Sequence, residues 1–111
     1  MAELTTLAKG LTTGLRAAME ADPKVVLMGE DIGKLGGVFR VTEGLQKDFG
    51  EERVMDTPLA EAGIVATAIG LAIRGYRPVV EIQFDGLVYP AFDHIVSTLA
   101  KSHARSHGGI R

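Results

Sequence analysis

The sequence predicts an α/β fold, a parallel sheet with flanking helices, and three observations carry that reading. Short apolar runs bounded by turn residues alternate with stretches of helical periodicity along the whole chain. The run Val25-Val26-Leu27-Met28 lacks any polar alternation, the mark of a strand covered on both faces. The 111 residues are 46% apolar and 23% charged, which suits one ordinary domain and leaves no room for two.

From the N-terminus, Leu7, Leu11, Leu15, Ala18 and Met19 fall on one face of an amphipathic helix that Asp22-Pro23 stops. Val25 to Met28 forms the first strand. The glycine-rich stretch Gly29 to Gly37 follows it, at the place where α/β proteins put function. It fails as a phosphate loop, because Gly29 and Gly33 are separated by three residues instead of four and Leu35 follows Lys34. Val41, Leu45 and Phe49 share a face of a short helix that Gly50 ends. Arg53 to Asp56 reads as a second strand. With Thr57-Pro58 as a cap and first helical residue, the segment Glu61 to Ile73 reads as a fully buried helix. Its small residues Gly63, Ala66, Thr67 and Gly70 would admit a second backbone at close range. Pro78 to Phe84 is the third strand, and Val88, Phe92, Ile95, Val96 and Leu99 mark a final amphipathic helix. Strands alternating with helices imply parallel pairing with right-handed crossovers.

Twelve Lys and Arg against fourteen Asp and Glu leave a formal net charge of −2, so no basic field exists to hold nucleic acid or an anionic membrane. The absence of cysteine removes disulfides and thiolate metal sites and suits a reducing compartment, and no metal site is expected. The start Met1-Ala2-Glu3-Leu4-Thr5-Thr6 lacks the basic and apolar segments of a secretory leader, so a cytoplasmic location is expected. The apolar stretch Ala62 to Ile73 is shorter than the roughly 20 residues of a membrane span.

Glu61 is the most informative residue. It stands between Leu59-Ala60 and Ala62-Gly63-Ile64-Val65, at the head of an apolar helix with no base nearby in sequence. Burial there would raise its pKa and suit it to exchange a proton with a bound heterocycle. The competing reading is an N-terminal acid that favours the helix dipole and faces solvent. From the residues alone Glu30 reads as a solvated loop acid, Asp93 as a polar residue on the outer face of the last helix and Gln83 as an ordinary polar strand end. His103 and His107 are four apart and lack an evident third ligand, so they read as part of a frayed helix end.

Three blocks carry a family resemblance: Met28-Gly29-Glu30-Asp31-Ile32-Gly33, then Asp56 to Ile64, then Glu81-Ile82-Gln83-Phe84 with Tyr89-Pro90-Ala91-Phe92-Asp93. From Leu7 to about Arg105, the chain resembles the β subunit of the thiamine-diphosphate-dependent decarboxylating component of 2-oxo acid dehydrogenase complexes. The branched-chain and pyruvate enzymes of bacteria are the nearest in pattern. The resemblance implies the N-terminal part of a transketolase-like pyrimidine-binding domain over residues 1–111, with the C-terminal transketolase domain absent. It implies thiamine diphosphate as cofactor, with its aminopyrimidine held here and its diphosphate and Mg²⁺ held by an α subunit. The implied partners are that α subunit, a second β subunit and a lipoyl acyltransferase core.

By the family pattern, Glu61 matches the glutamate that hydrogen-bonds the pyrimidine ring and promotes loss of the thiazolium C2 proton. Leu59, Gln83 and Leu87 fall on cofactor-pocket positions, Leu87 standing where the family usually has Phe or Tyr. Glu30 and Asp93 match acids of a proton path between two active sites. His94 stands where glutamine is common, and the family's catalytic histidines come later than Arg111. The resemblance therefore implies that these residues alone do not decarboxylate a 2-oxo acid. It leaves two other readings open, a non-catalytic interaction module and another enzyme of the transketolase superfamily. Uncovered apolar surface is expected to make the chain self-associate or depend on a partner.

Overall fold

The computed structural model describes residues 3–111, and Met1 and Ala2, which open the stretch read above as lacking a leader, lie outside the described residues. A helix α1 (Leu7–Ala21) begins where the Thr6 side chain accepts the Lys9 N–H at 3.2 Å. It ends at Asp22, which the following proline holds extended at φ −139°. Strand β1 (Val25–Gly29) is buried along its whole length, as an unbroken apolar run requires. It is the centre of a three-stranded parallel sheet ordered β2-β1-β3. Strand β2 (Val54–Asp56) pairs in register Leu27 with Val54 and Gly29 with Asp56. Strand β3 (Arg77–Val80) pairs Val25 with Arg77 and Met28 with Val80.

The short helix α2 (Leu45–Phe49) seals one face of the sheet. Met19, Val25, Leu27, Ile32, Leu45 and Val54 form a buried cluster, with Leu15 and Phe49 packed against it. Burying a side chain such as Leu45 contributes about 1.5–3 kcal/mol. Arg53 fastens the end of α1 to the start of β1. Its guanidinium donates to the carbonyls of Met19 at 2.8 Å, Asp22 at 2.9 Å and Val25 at 3.0 Å while lying over the Phe49 ring. The Met19 carbonyl, in the last turn of α1, has no partner within the helix.

Helix α3 (Glu61–Ile73) packs across β3 and β1. It is not buried all round: Glu61, Ile64, Val65 and Ala68 face inward, whereas Gly63, Thr67, Gly70 and Ile73 are exposed. Uniform hydropathy hides which face a neighbour covers. Nor do Thr57 and Pro58 open this helix. The residue preceding it is Ala60, no side chain caps it, and the Thr57 N–H is spent on the Gly29 carbonyl at 2.9 Å.

Three further boundaries differ from the sequence reading. Val41 lies in the turn before α2, where its carbonyl accepts the Thr12 hydroxyl at 2.6 Å. β3 ends at Val80 instead of Phe84, because the ladder partner β1 ends at Gly29. The last backbone bond across that edge runs from Glu81 N–H to the Met28 carbonyl at 2.9 Å. The expected final helix is a broken succession: a 3₁₀ turn over Asp85–Val88, α4 (Tyr89–Asp93), a π turn over His94–Thr98, a 3₁₀ turn over Leu99–Lys101, and α5 (Ser102–Arg105). Of its apolar face, Phe92, Val96 and Leu99 are largely exposed and Ala91 is the fully buried residue. Instead of fraying, the last residues fold back, with His103 Nδ1 2.8 Å from the Ile110 carbonyl and the Ile110 N–H donating to Ser106 Oγ at 2.9 Å.

Candidate active site

Parallel strands bring their carboxyl ends to one rim, where four acids from different elements collect. β1 delivers Glu30, β2 ends on Asp56, β3 delivers Glu81, and α3 starts at that rim with Glu61. Asp31 adopts φ +56°, a left-handed conformation that turns the chain sharply after Glu30. Gly36 and Gly37, both at φ +83°, bring the loop back so that the Gly37 N–H reaches the Asp31 carbonyl at 2.8 Å. Beneath the loop the buried Thr42 hydroxyl donates to the Ile32 carbonyl at 2.7 Å, and Asp56 accepts the Gly33 N–H at 2.7 Å.

Glu30 and Glu61 are 7% and 6% exposed, so both carboxyls are withdrawn from water. The Glu30 carboxyl is held above the usual glutamate range, first by burial, then by the charge of Glu61 and a hydrogen bond to it, with Asp31 and Glu81 adding to the effect. Glu61 Oε1 is buried and has no hydrogen-bond partner. The described ion pairs, Arg16–Asp48 and Arg77–Asp22, lie outside this group. The site can therefore hold a proton and present an unpaired buried acceptor to a ligand.

The remaining candidates are distributed unevenly. Gln83 joins the acids: its Nε2 donates to the Glu30 carbonyl at 3.2 Å and to Asp31 Oδ2 at 3.4 Å. Leu87 is half-buried in the 3₁₀ turn, its N–H donating to the Phe84 carbonyl. Leu59 is 75% exposed just before α3. Asp93 is exposed at the end of α4, accepts the Ser97 hydroxyl at 2.9 Å and is not among the charges that act on Glu30. Among the described residues no group of three His, Asp or Glu side chains could hold a metal, and no helix is long and apolar enough to cross a membrane.

Sequence reasoning missed Glu81. Burial pushes its carboxyl up, and its Oε2 is buried without a partner. The signal was an acid inside the apolar run Pro78 to Phe84. Its side chain lines an apolar cavity of about 180 Å³ between α1 and the sheet, with Leu11, Leu15, Ile32 and Val41.

An open parallel sheet whose strand ends converge on a buried acid at the head of a helix defines an α/β ligand-binding domain. The chain belongs to the transketolase pyrimidine-binding domain family, which matches residues 4–110. It is 66% identical, over 94% of its length, to the pyruvate dehydrogenase E1 component subunit beta of Leifsonia xyli subsp. xyli. It is 53% identical, over 95% of its length, to the 3-methyl-2-oxobutanoate dehydrogenase subunit beta of Mycobacterium tuberculosis. The corresponding figures for the pyruvate dehydrogenase E1 component subunit beta of Staphylococcus epidermidis are 52% and 97%. The chain covers 31%, 30% and 33% of these relatives, about a third of each.

Proposed function

We propose that this chain serves as the pyrimidine-binding part of a β subunit in a 2-oxo acid dehydrogenase, one that oxidatively decarboxylates pyruvate or a branched-chain 2-oxo acid. The observation that carries the reading is Glu61 Oε1, a buried oxygen with no partner at the head of α3. An aminopyrimidine ring nitrogen needs a buried carboxyl of this kind, so the residues fit that end of thiamine diphosphate. When bound, the cofactor supplies the nucleophilic carbon that attacks the 2-oxo acid and stabilises the charge left as carbon dioxide departs.

The chain's own residues act on protons and orientation. Glu61 hydrogen-bonds the ring and exchanges a proton with it. Glu30 beside it keeps a proton within reach, because burial and the Glu61 charge both oppose its ionisation. Leu87, and Leu59 from the segment leading into α3, supply apolar contact to the pyrimidine, and Asp93 extends the acidic path toward a second site. The diphosphate and its Mg²⁺ are assigned to an α subunit, which the exposed stripe of Gly63, Thr67 and Gly70 would let approach α3 closely. A second β subunit and a lipoyl acyltransferase core complete the assembly, placed in the cytoplasm.

The test is Glu61→Gln in the full chain assembled with its α subunit. Decarboxylation of pyruvate and of 3-methyl-2-oxobutanoate is followed with an artificial electron acceptor, and thiamine diphosphate binding by protein fluorescence. General acid–base catalysis accounts for about 10²–10⁴-fold, so kcat should fall by that order while the fold is retained. Unchanged turnover on both substrates would refute the assignment.

A further inference from the structure

We infer that Gln83 is a positioning residue: by tethering the Glu30-Asp31 turn to the chain leaving β3, its side-chain amide fixes Glu30 against Glu61. The β1–β3 ladder finishes at the bond from Glu81 N–H to the Met28 carbonyl, before the chain reaches Glu30. Beyond that point Gln83 spans the gap. Both of its Nε2 contacts are to the turn, one to the Glu30 carbonyl at 3.2 Å and one to the Asp31 carboxylate at 3.4 Å. An amide nitrogen carries two hydrogens, so its donor capacity is used in full and only Oε1 is left to face a ligand.

The turn needs such a tie. Asp31 sits at φ +56°, a conformation that costs a non-glycine residue energy and persists only where surrounding contacts enforce it. One enforcing bond is the Gly37 N–H to the Asp31 carbonyl at 2.8 Å, on the far side of the peptide from Glu30. The Gln83 bond to the Glu30 carbonyl holds the near side. A residue just beyond the third strand thereby sets where the acid after the first strand points, and acts on the reacting proton without touching it.

The groups that face Glu30 are Asp31 on its own turn, Glu61 on α3 and Glu81 beyond β3. Loss of the tether frees Glu30 to move away from Glu61 and toward water. Both motions remove causes that hold its proton, so its titration should move down toward the ordinary glutamate range.

This inference rests on the proposed function only for its catalytic consequence, and its test is read without thiamine diphosphate. Infrared difference spectra of the full chain in its native assembly are recorded across pH. The Glu30 carboxylic-acid band is assigned by its loss in Glu30→Gln. Gln83→Met keeps the side-chain volume and removes the amide, and Gln83→Ala removes both. In both variants, checked as folded by circular dichroism, the Glu30 midpoint should fall by about half a pH unit or more. An unmoved midpoint in either folded variant would overturn the inference. A shifted midpoint in a protein that binds no thiamine diphosphate would uphold the inference while refuting the proposed function.

Discussion

Replacing Glu81 by glutamine should make stability less dependent on pH, and the structure sets the sign and size. Glu81 is half-buried beside an apolar cavity that Leu11, Leu15 and Val41 also line, and its Oε2 is buried without a partner. Burial therefore raises its folded pKa above the ordinary glutamate range. For an acid whose folded pKa is raised, the folded state binds more protons than the unfolded one between the two values. Its favourable contribution is complete below the unfolded pKa and is lost as pH rises through the folded one. Glu81→Gln stays neutral throughout, so variant and parent should match near pH 4. Above the raised pKa the variant should be the more stable. Glutamine removes the extra cost of burying the charge without a partner, and the partial exposure of Glu81 keeps that gain to about 1 kcal/mol. Urea melts of the full chain at pH 4 and pH 8 measure the difference. Equal stability of the two proteins at pH 8, or a variant weaker there than at pH 4 relative to the parent, would refute the reasoning.

Other expectations follow from single contacts. Gly29→Ala would put a methyl 2.9 Å from Ile32 Cγ2 and 3.2 Å from the Glu81 carbonyl, so a loss of about 1–3 kcal/mol is expected in denaturant melts. Thr42→Val removes the donor to the Ile32 carbonyl, and thermal unfolding should register a cost of about 1–3 kcal/mol. Arg53→Met strips partners from the carbonyls of Met19, Asp22 and Val25. Hydrogen exchange at the α1–β1 junction should accelerate more than exchange in α3. Leu7, Leu59, Tyr89 and Phe92 are all more than half exposed, and light scattering of residues 1–111 prepared alone should show association at micromolar concentration.

The elements legible in sequence were those that local chemistry dictates. Thr6 and Asp22-Pro23 bracket α1 wherever the helix packs, and an unbroken apolar run such as Val25 to Met28 has few alternatives to a central strand. The apolar flanks of Glu61 left burial and solvent exposure both open, the family resemblance favoured the buried reading, and the side chain is buried. Elements whose limits depend on a neighbour were misjudged. β3 stops at Val80 because its partner stops, and α3 has an open face because nothing in these residues covers Gly63, Thr67 and Gly70. The periodicity of Val88 to Leu99 is real, yet the backbone there alternates between 3₁₀, α and π turns.

The sequence by itself determined the α/β class, the order of strands and helices along the chain and the family to which it belongs, because these rest on propensity and pattern within short windows. Only the tertiary structure decided that Glu30 and Glu61, 31 positions apart, are both buried and close enough to act on each other, and that Gln83 ties the turn after β1 to the chain after β3 while Asp93 stays apart. The physical reason is that burial and charge coupling depend on distance through space. That distance is fixed when parallel pairing of β1 with β2 and β3 brings three strand ends to one rim.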